Sequence, residues 1–352
     1  MSSIRVAVFA TVGLMPLLLA SCKCGETPTE VGTIASGGTT SAGVSTTTGG
    51  TLASGGRSSH GATWGGTASS CSGLGATCGP SGNDDCCRSL LVPGGTFNRG
   101  YDGVDYLDPS YPATVSDYYL DKYEITVGRL RVFVNAGMGT QSSPPAAGTG
   151  AHPRITGSGW NSTWNTNLPA DTAALKAALK CNAANQTWTD TPGSNESKPA
   201  NCLHWYTAFA FCAWDGARLP TEAEWNYAAS GGSEQRYYPW SDPASSTTID
   251  DSYAVFCGGT CSLQNVGSKS PKGDGRWGQS DLGGNAWEWN LDLPGSPHLM
   301  PCNDCANLTP GSYRVFRGGS FDDIASTLRS AARHVYYPGH RGAIGSRCAR
   351  TP

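Results

Sequence analysis

The stretch RVFRGGSFDDIASTLRSAAR, running from Arg314 to Arg333, places two acids and a serine beside a Gly-Gly turn, but it holds no cysteine, histidine or lysine. A serine nucleophile at Ser320 would need a base, and the sequence places none beside it; His334 or His340 could approach only through the fold. Asp322 and Asp323 could share acid–base work only if their carboxyl groups converged. On an extended stretch adjacent side chains point to opposite faces, so the pair is expected to cap a turn or to bond Arg317 or Arg329. The other motif with chemical potential is Cys302-Asn303-Asp304-Cys305, a spacing suited to zinc or redox work. No second CxxC and no HxxxH accompanies it, and His60, His152, His204, His298, His334 and His340 are nowhere paired at ligand spacing.

Positioning such groups requires a fold, and the composition limits which kind. The 352 residues include 47 Gly and 11 Trp with only 14% charged, so turns and loops pinned by aromatics must fill much of the length. A net charge of −3 offers no footprint for nucleic acid. LVPGGTF reads as strand, turn and strand, Tyr118 to Ile125 as a strand, and Val127, Leu130, Phe133 and Val134 as one helix stopped at Gly137. Pro144 to Pro199 reads as an irregular insertion lying on the surface. A helix is expected over Leu203–Trp214. Another is expected over Glu222–Ala229, where Thr221 and Glu224 form a capping box.

The first 22 residues read as an export signal, with Arg5 ahead of an apolar run from Val6 to Leu19. Leu19-Ala20-Ser21-Cys22 resembles a bacterial lipobox, so Cys22 is expected to carry the lipid that anchors the protein in a membrane. The alternative is ordinary signal cleavage nearby, with Cys22 an incidental thiol. Residues 23–70, rich in Gly, Ser and Thr, are expected to be a flexible tether. Residues 71–88 hold four cysteines in a disulfide knot of open connectivity, and residues 89–352 form the main domain. Export favours disulfides over metal for the cysteines, including CxxC and a short staple between Cys257 and Cys261. Cys24, beside the anchor, is the cysteine expected to stay single.

GARLPTEAEWNYAA, DLGGNAWEWNLD, RVFRGGSF and the closing GSRCA occur in the order found in the sulfatase-modifying factor family, the formylglycine-generating enzymes, which this chain resembles from about Leu90 to Ala349. The resemblance implies a single compact α+β domain with a C-type-lectin-like fold and little regular secondary structure. It implies a Cys212–Cys348 disulfide. A second family disulfide falls on Ala229 and Ser330, both cysteines having been lost together. It also implies a calcium ion held by the Asp281 and Glu288 carboxylates and the Gly284 and Ala286 carbonyls, oxygen ligands suited to a hard cation. Without calcium, Asp281 would merely cap a turn and Glu288 would pair with an arginine.

The family's oxidation of a substrate cysteine uses two thiolates that hold Cu(I), which prefers sulfur. Trp287 and Ser320 match its pocket residues, but the first copper cysteine falls on Asp323 and the second near Ala325. The sequence has no cysteine between Cys305 and Cys348. Copper is therefore not expected. The histidine-bound iron of the sulfoxide synthase branch has no ligands here either. The resulting expectation is an exported, lipid-anchored protein of the bacterial periplasm or cell surface that binds a peptide or surface ligand. The alternative is an enzyme of the formylglycine-generating type, or one using the retained pocket for another reaction.

Overall fold

A computed structural model describes residues 63–352 apart from 260, 296, 297, 310, 340 and 341. The export signal, Cys22, Cys24, most of the expected tether, His60 and His340 lie outside the described residues.

The elements in chain order are β1 (Ser89–Val92), β2 (Gly95–Asn98), β3 (Pro112–Val115), β4 (Tyr118–Asp121), α1 (Val127–Asn135), α2 (Thr172–Ala178), α3 (Trp205–Trp214), α4 (Glu222–Ala229), β5 (Trp287–Trp289), β6 (Cys302–Asn303), β7 (Arg314–Arg317), β8 (His334–Tyr336), β9 (Ile344–Gly345) and β10 (Ala349–Arg350). They form three small sheets, ordered β1-β4-β10, β2-β3-β6 and β8-β7-β5-β9. The two strands of LVPGGTF do not pair with each other: β1 joins β4 and β2 joins β3, each antiparallel. Gly94 sits where a Cβ would meet the Val115 carbonyl at 2.4 Å, so the crossing between these sheets requires glycine. The strand expected through Ile125 leaves its ladder after Asp121, although Tyr123 and Ile125 remain buried.

Helix α4 begins as its sequence dictates. Thr221 Oγ1 accepts from Glu224 N, and the Glu224 carboxylate accepts from Thr221 N at 2.9 Å. Helix α3 is nearly apolar all round, which suits a helix surrounded by protein. It packs into the main core with Leu130, Phe133, Trp289, Phe316 and Cys348.

The insertion after Pro144 departs from expectation. It contains α2 and sends Trp160, Leu168, Leu175, Leu179 and Trp188 into the main core. Spread through a polar stretch without a steady period, these apolar residues give little sequence signal, yet Trp160 packs on Phe209 of α3 and Trp188 lies under the Arg131 guanidinium of α1. The tether likewise ends before Ser70. Thr63 bridges Leu90, the Arg350 guanidinium stacks on Trp64 4.7 Å away, and Ser70 is fully buried. Trp64 N also donates to the Ser89 carbonyl and Ser70 N to Asp215 Oδ1, so this low-complexity segment is held against the domain.

Disulfides join Cys71 to Cys87, Cys78 to Cys86, Cys181 to Cys202, Cys212 to Cys348 and Cys302 to Cys305. The Cys212–Cys348 bridge spans 136 residues, a cross-link worth about 4–5 kcal/mol in the chain-entropy view. The expected Cys257–Cys261 staple is not formed. The two sulfurs lie 3.6 Å apart, well beyond an S–S bond. The four-cysteine segment is sewn to the domain: Gly79 N bonds the Val266 carbonyl, and Asp84 accepts from Lys122 Nζ and Tyr123 Oη at 2.8 Å each.

Candidate functional site

Strand β5 and the turn after β7 bring together the three pocket positions singled out in the sequence. Gly318 and Gly319 both have positive φ, and they turn the chain so that Ser320 lies beside Trp287 of β5. Gly284 N bonds the Gly318 carbonyl and Phe321 N bonds the Asn285 carbonyl, each 2.9 Å, so the loop before β5 holds this turn in place. The Ser320 hydroxyl donates to Asp323 Oδ2 at 2.5 Å, and the Ser320 backbone N–H donates to the same oxygen at 3.1 Å. The Trp287 indole bonds the same carboxylate, yet burial still raises its pKa above the usual range.

Two expectations about the acid pair change here. Asp322 and Asp323 lie in a tight turn and not on a strand, because the Gly-Gly reversal ends β7 at Arg317. Neither acid reaches the proposed arginines, since Arg317 bonds Glu222 and Arg329 bonds Asp105. Capping a turn is what Asp323 does.

His334 opens β8, with its ring centroid 4.7 Å from that of Trp287. Burial and then the Arg317 charge push its pKa down to about 4, so it is neutral near pH 7. Phe316 closes the corner 4.9 Å from Trp287. A carboxylate is far too weak a base to deprotonate a serine hydroxyl in the ground state, so Ser320 is fixed as a donor to Asp323. The corner offers oxygen, imidazole and aromatic edges, and Cys257 N donates to the Asp323 carbonyl at 2.8 Å beside it. Two open clefts of about 520 Å³ and 490 Å³ lie elsewhere, one along α2 near His204 and one around His152 and Arg154, and neither touches this corner.

The proposed calcium ligands lie on the loop that feeds β5. Asp281 and Asn285 have φ of 58° and 61°, a left-handed backbone unusual for residues with side chains. Asp281 Oδ2 caps Gly267 N at 2.5 Å, and burial raises its pKa to about 6. Glu288 is committed elsewhere. Arg347 donates to both of its oxygens, at 2.7 and 2.8 Å, and Trp225 Nε1 donates to one at 2.7 Å. A third acid, Glu124, was missed in the sequence. It is fully buried and accepts from Ala286 N and Asn285 Nδ2, 2.9 Å each, so it sets the shape of the loop. Burial, then Asp281 and Glu288, hold its carboxyl well above the ordinary range. A lone glutamate between Tyr123 and Ile125 in an apolar run was the available clue. Among the described residues, no three acid, histidine or cysteine side chains form a ready metal cage.

Residues 76–352 match the model of the sulfatase-modifying factor enzyme 1-like domain. The chain belongs to this family. Its relatives include the formylglycine-generating enzyme of Mus musculus, 28% identical over 74% of each chain, and that of Thermomonospora curvata, 26% identical over 75% of this chain and 93% of the relative. They also include the inactive C-alpha-formylglycine-generating enzyme 2 of Bos taurus, 26% identical over 77% of this chain and 85% of the relative. Among solved structures, PvdO from Pseudomonas aeruginosa aligns with a TM-score of 0.54 and 22% identity over 76% of this chain and 95% of its own. Treponema denticola variable protein 1 gives 0.50 and 19% over 75% and 95%. This sulfatase-modifying factor domain therefore has the family's C-type-lectin-like fold, and relatives of both the generating and the inactive kind share its sequence.

Proposed function

We propose that this member of the family is an exported, lipid-anchored binding protein that does not generate formylglycine. One observation carries the reading. The position matched to the first copper cysteine is Asp323, and its carboxylate is spent on Ser320 and Trp287. A carboxylate held by its own neighbours cannot replace a sulfur ligand for Cu(I). The ligand in this reading is an extended peptide or another surface ligand, as the family resemblance implies, with His334 the least buried of the residues at the Trp287 corner. Five disulfides among the described residues accord with an oxidising compartment. The lipobox at Cys22 supplies the anchor in this reading.

Calcium on the β5 loop is the second part of the proposal. Glu124, Asp281 and Glu288 carry three acids against the single guanidinium of Arg347, an imbalance that a buried dication would correct. Since Glu288 is bound to Arg347, the ion would rest on Asp281 and on the Gly284 and Ala286 carbonyls.

The test of function is a Cu(I) titration of residues 63–352 against a competing chelator. Binding no tighter than the chelator is expected. One tight copper per chain would overturn the binding-protein reading and restore an oxidase of the formylglycine-generating type.

A further inference from the structure

From the surroundings of the CxxC segment we infer that Cys302–Cys305 is a redox-active disulfide that exchanges with thiols, Cys305 being the leaving thiolate that Arg99 stabilises. This rests on different residues from the ligand corner and stands or falls separately from it.

Arg99 is 3% exposed, and among the described residues no carboxylate forms an ion pair with it. Its Nη1 donates to Cys305 Sγ at 3.6 Å, its Nη2 donates to the Leu299 carbonyl and faces Met300 Sδ, and its Nε is buried without a partner. The nearest acids are spoken for. Glu222 bonds Arg317 and Arg333, and Asp292 accepts from Glu222 N and Asn307 N. A buried cation without a counterion is costly, and a thiolate at Cys305 would supply the missing charge. The oxidised sulfur is a poor acceptor, so the guanidinium gains most when the disulfide opens.

The exchange step balances simply. An incoming thiolate attacks Cys302 Sγ, a new S–S bond forms, the Cys302–Cys305 bond breaks, and Cys305 leaves as a thiolate beside Arg99. A better-stabilised leaving thiolate leaves faster, and it shifts the equilibrium toward the reduced form. A second thiolate on the same partner then attacks the mixed disulfide. The partner is thereby oxidised to a disulfide, Cys302 and Cys305 are left reduced, and another disulfide must reoxidise them. Cys302 and Cys305 are nearly buried, 6% and 9% exposed, so a thiol must approach past Leu299 and Met300 just upstream, which are 45% and 44% exposed. Asp304 holds the loop rigid between the cysteines by bonding Ser116 N and Oγ at 2.7 Å each. The substrate class is therefore an exposed dithiol with some apolar surface.

The experiment equilibrates the full chain in mixtures of reduced and oxidised glutathione, then alkylates and maps the thiols by mass spectrometry. Cys302 and Cys305 should become alkylated at a ratio that leaves Cys212–Cys348 oxidised. The Arg99→Met variant should need about tenfold more reduced glutathione, the scale of one charge-assisted hydrogen bond. Should Arg99→Met fail to fold, Cys305→Ser gives the second reading, since Cys302 should then trap glutathione as a mixed disulfide. Reduction of Cys302–Cys305 no earlier than Cys212–Cys348 would overturn the inference. So would an Arg99→Met variant that folds and titrates like the wild type.

Discussion

The Ser330 hydroxyl donates to the Ala229 carbonyl at 2.9 Å across 101 residues of sequence. These are the two positions where the family resemblance places a disulfide that this chain lacks. Their contact shows that the backbone still brings α4 and the segment before β8 together as a cross-link would require. The Ala229→Cys, Ser330→Cys double variant should therefore oxidise in air to a further disulfide. The gain should be about 2–4 kcal/mol, the usual range for a native-like bridge. Calorimetry with and without reductant reads it, and free thiols persisting after oxidation would mean that the positions are misaligned.

Arg129 and Arg350 form a buried quartet with Asp121 and Asp215, every side chain no more than 1% exposed. The quartet ties β4, α1, the end of α3 and β10 into one unit, and Arg129 Nε also holds Ser70 Oγ at 2.9 Å. Removing one cation leaves carboxylates uncompensated in the core. Arg129→Met should therefore cost about 3–5 kcal/mol, read as a lower urea midpoint at unchanged slope. A loss below about 1 kcal/mol would show that the acids find water or other partners.

The local rules made α4 and its capping box legible, because Thr221 and Glu224 need only each other. The pocket residues Trp287, Ser320 and Asp323 were legible through the motifs around them. The sequence hid what depends on contacts far along the chain. Glu124 meets Asn285 and Ala286 from 161 and 162 residues away. The core role of Trp160 and Trp188 depends on α1 and α3 offering apolar faces, which a Gly- and Asn-rich stretch does not announce. The acid pair was misplaced because a period-2 reading continued past Gly318 and Gly319, whose positive φ ends the strand.

Calcium should stabilise the fold in proportion to the logarithm of its concentration, by about 2.7 kcal/mol at a hundredfold excess over Kd, read as a rise in melting temperature. Asp281→Ala should abolish that rise, while Asp322→Ala, on the exposed side of the neighbouring turn, should leave it intact. A calcium response unchanged in Asp281→Ala would move the ion elsewhere.

His334 gives the site a pH signature. Its folded pKa near 4 lies below the ordinary histidine value, because burial and Arg317 disfavour the charged ring. Between about pH 6.5 and 4 the unfolded chain binds a proton that the folded chain refuses, so stability falls as pH is lowered through that window. His298, also held near 4 by burial, acts in the same direction. Replacing His334 with Asn should remove part of the decline, about 1–2 kcal/mol by pH 4.5 after allowance for partial exposure. The His298→Asn variant is the control, since it should flatten the pH dependence without disturbing the Trp287 corner. Melting curves from pH 4.5 to 7.5 for the three proteins decide the matter. A His334→Asn profile parallel to the wild type would mean that this imidazole is solvated and free to ionise against Trp287. The corner would then offer a cation in acid, and its preference in ligands would shift toward anions as the pH drops.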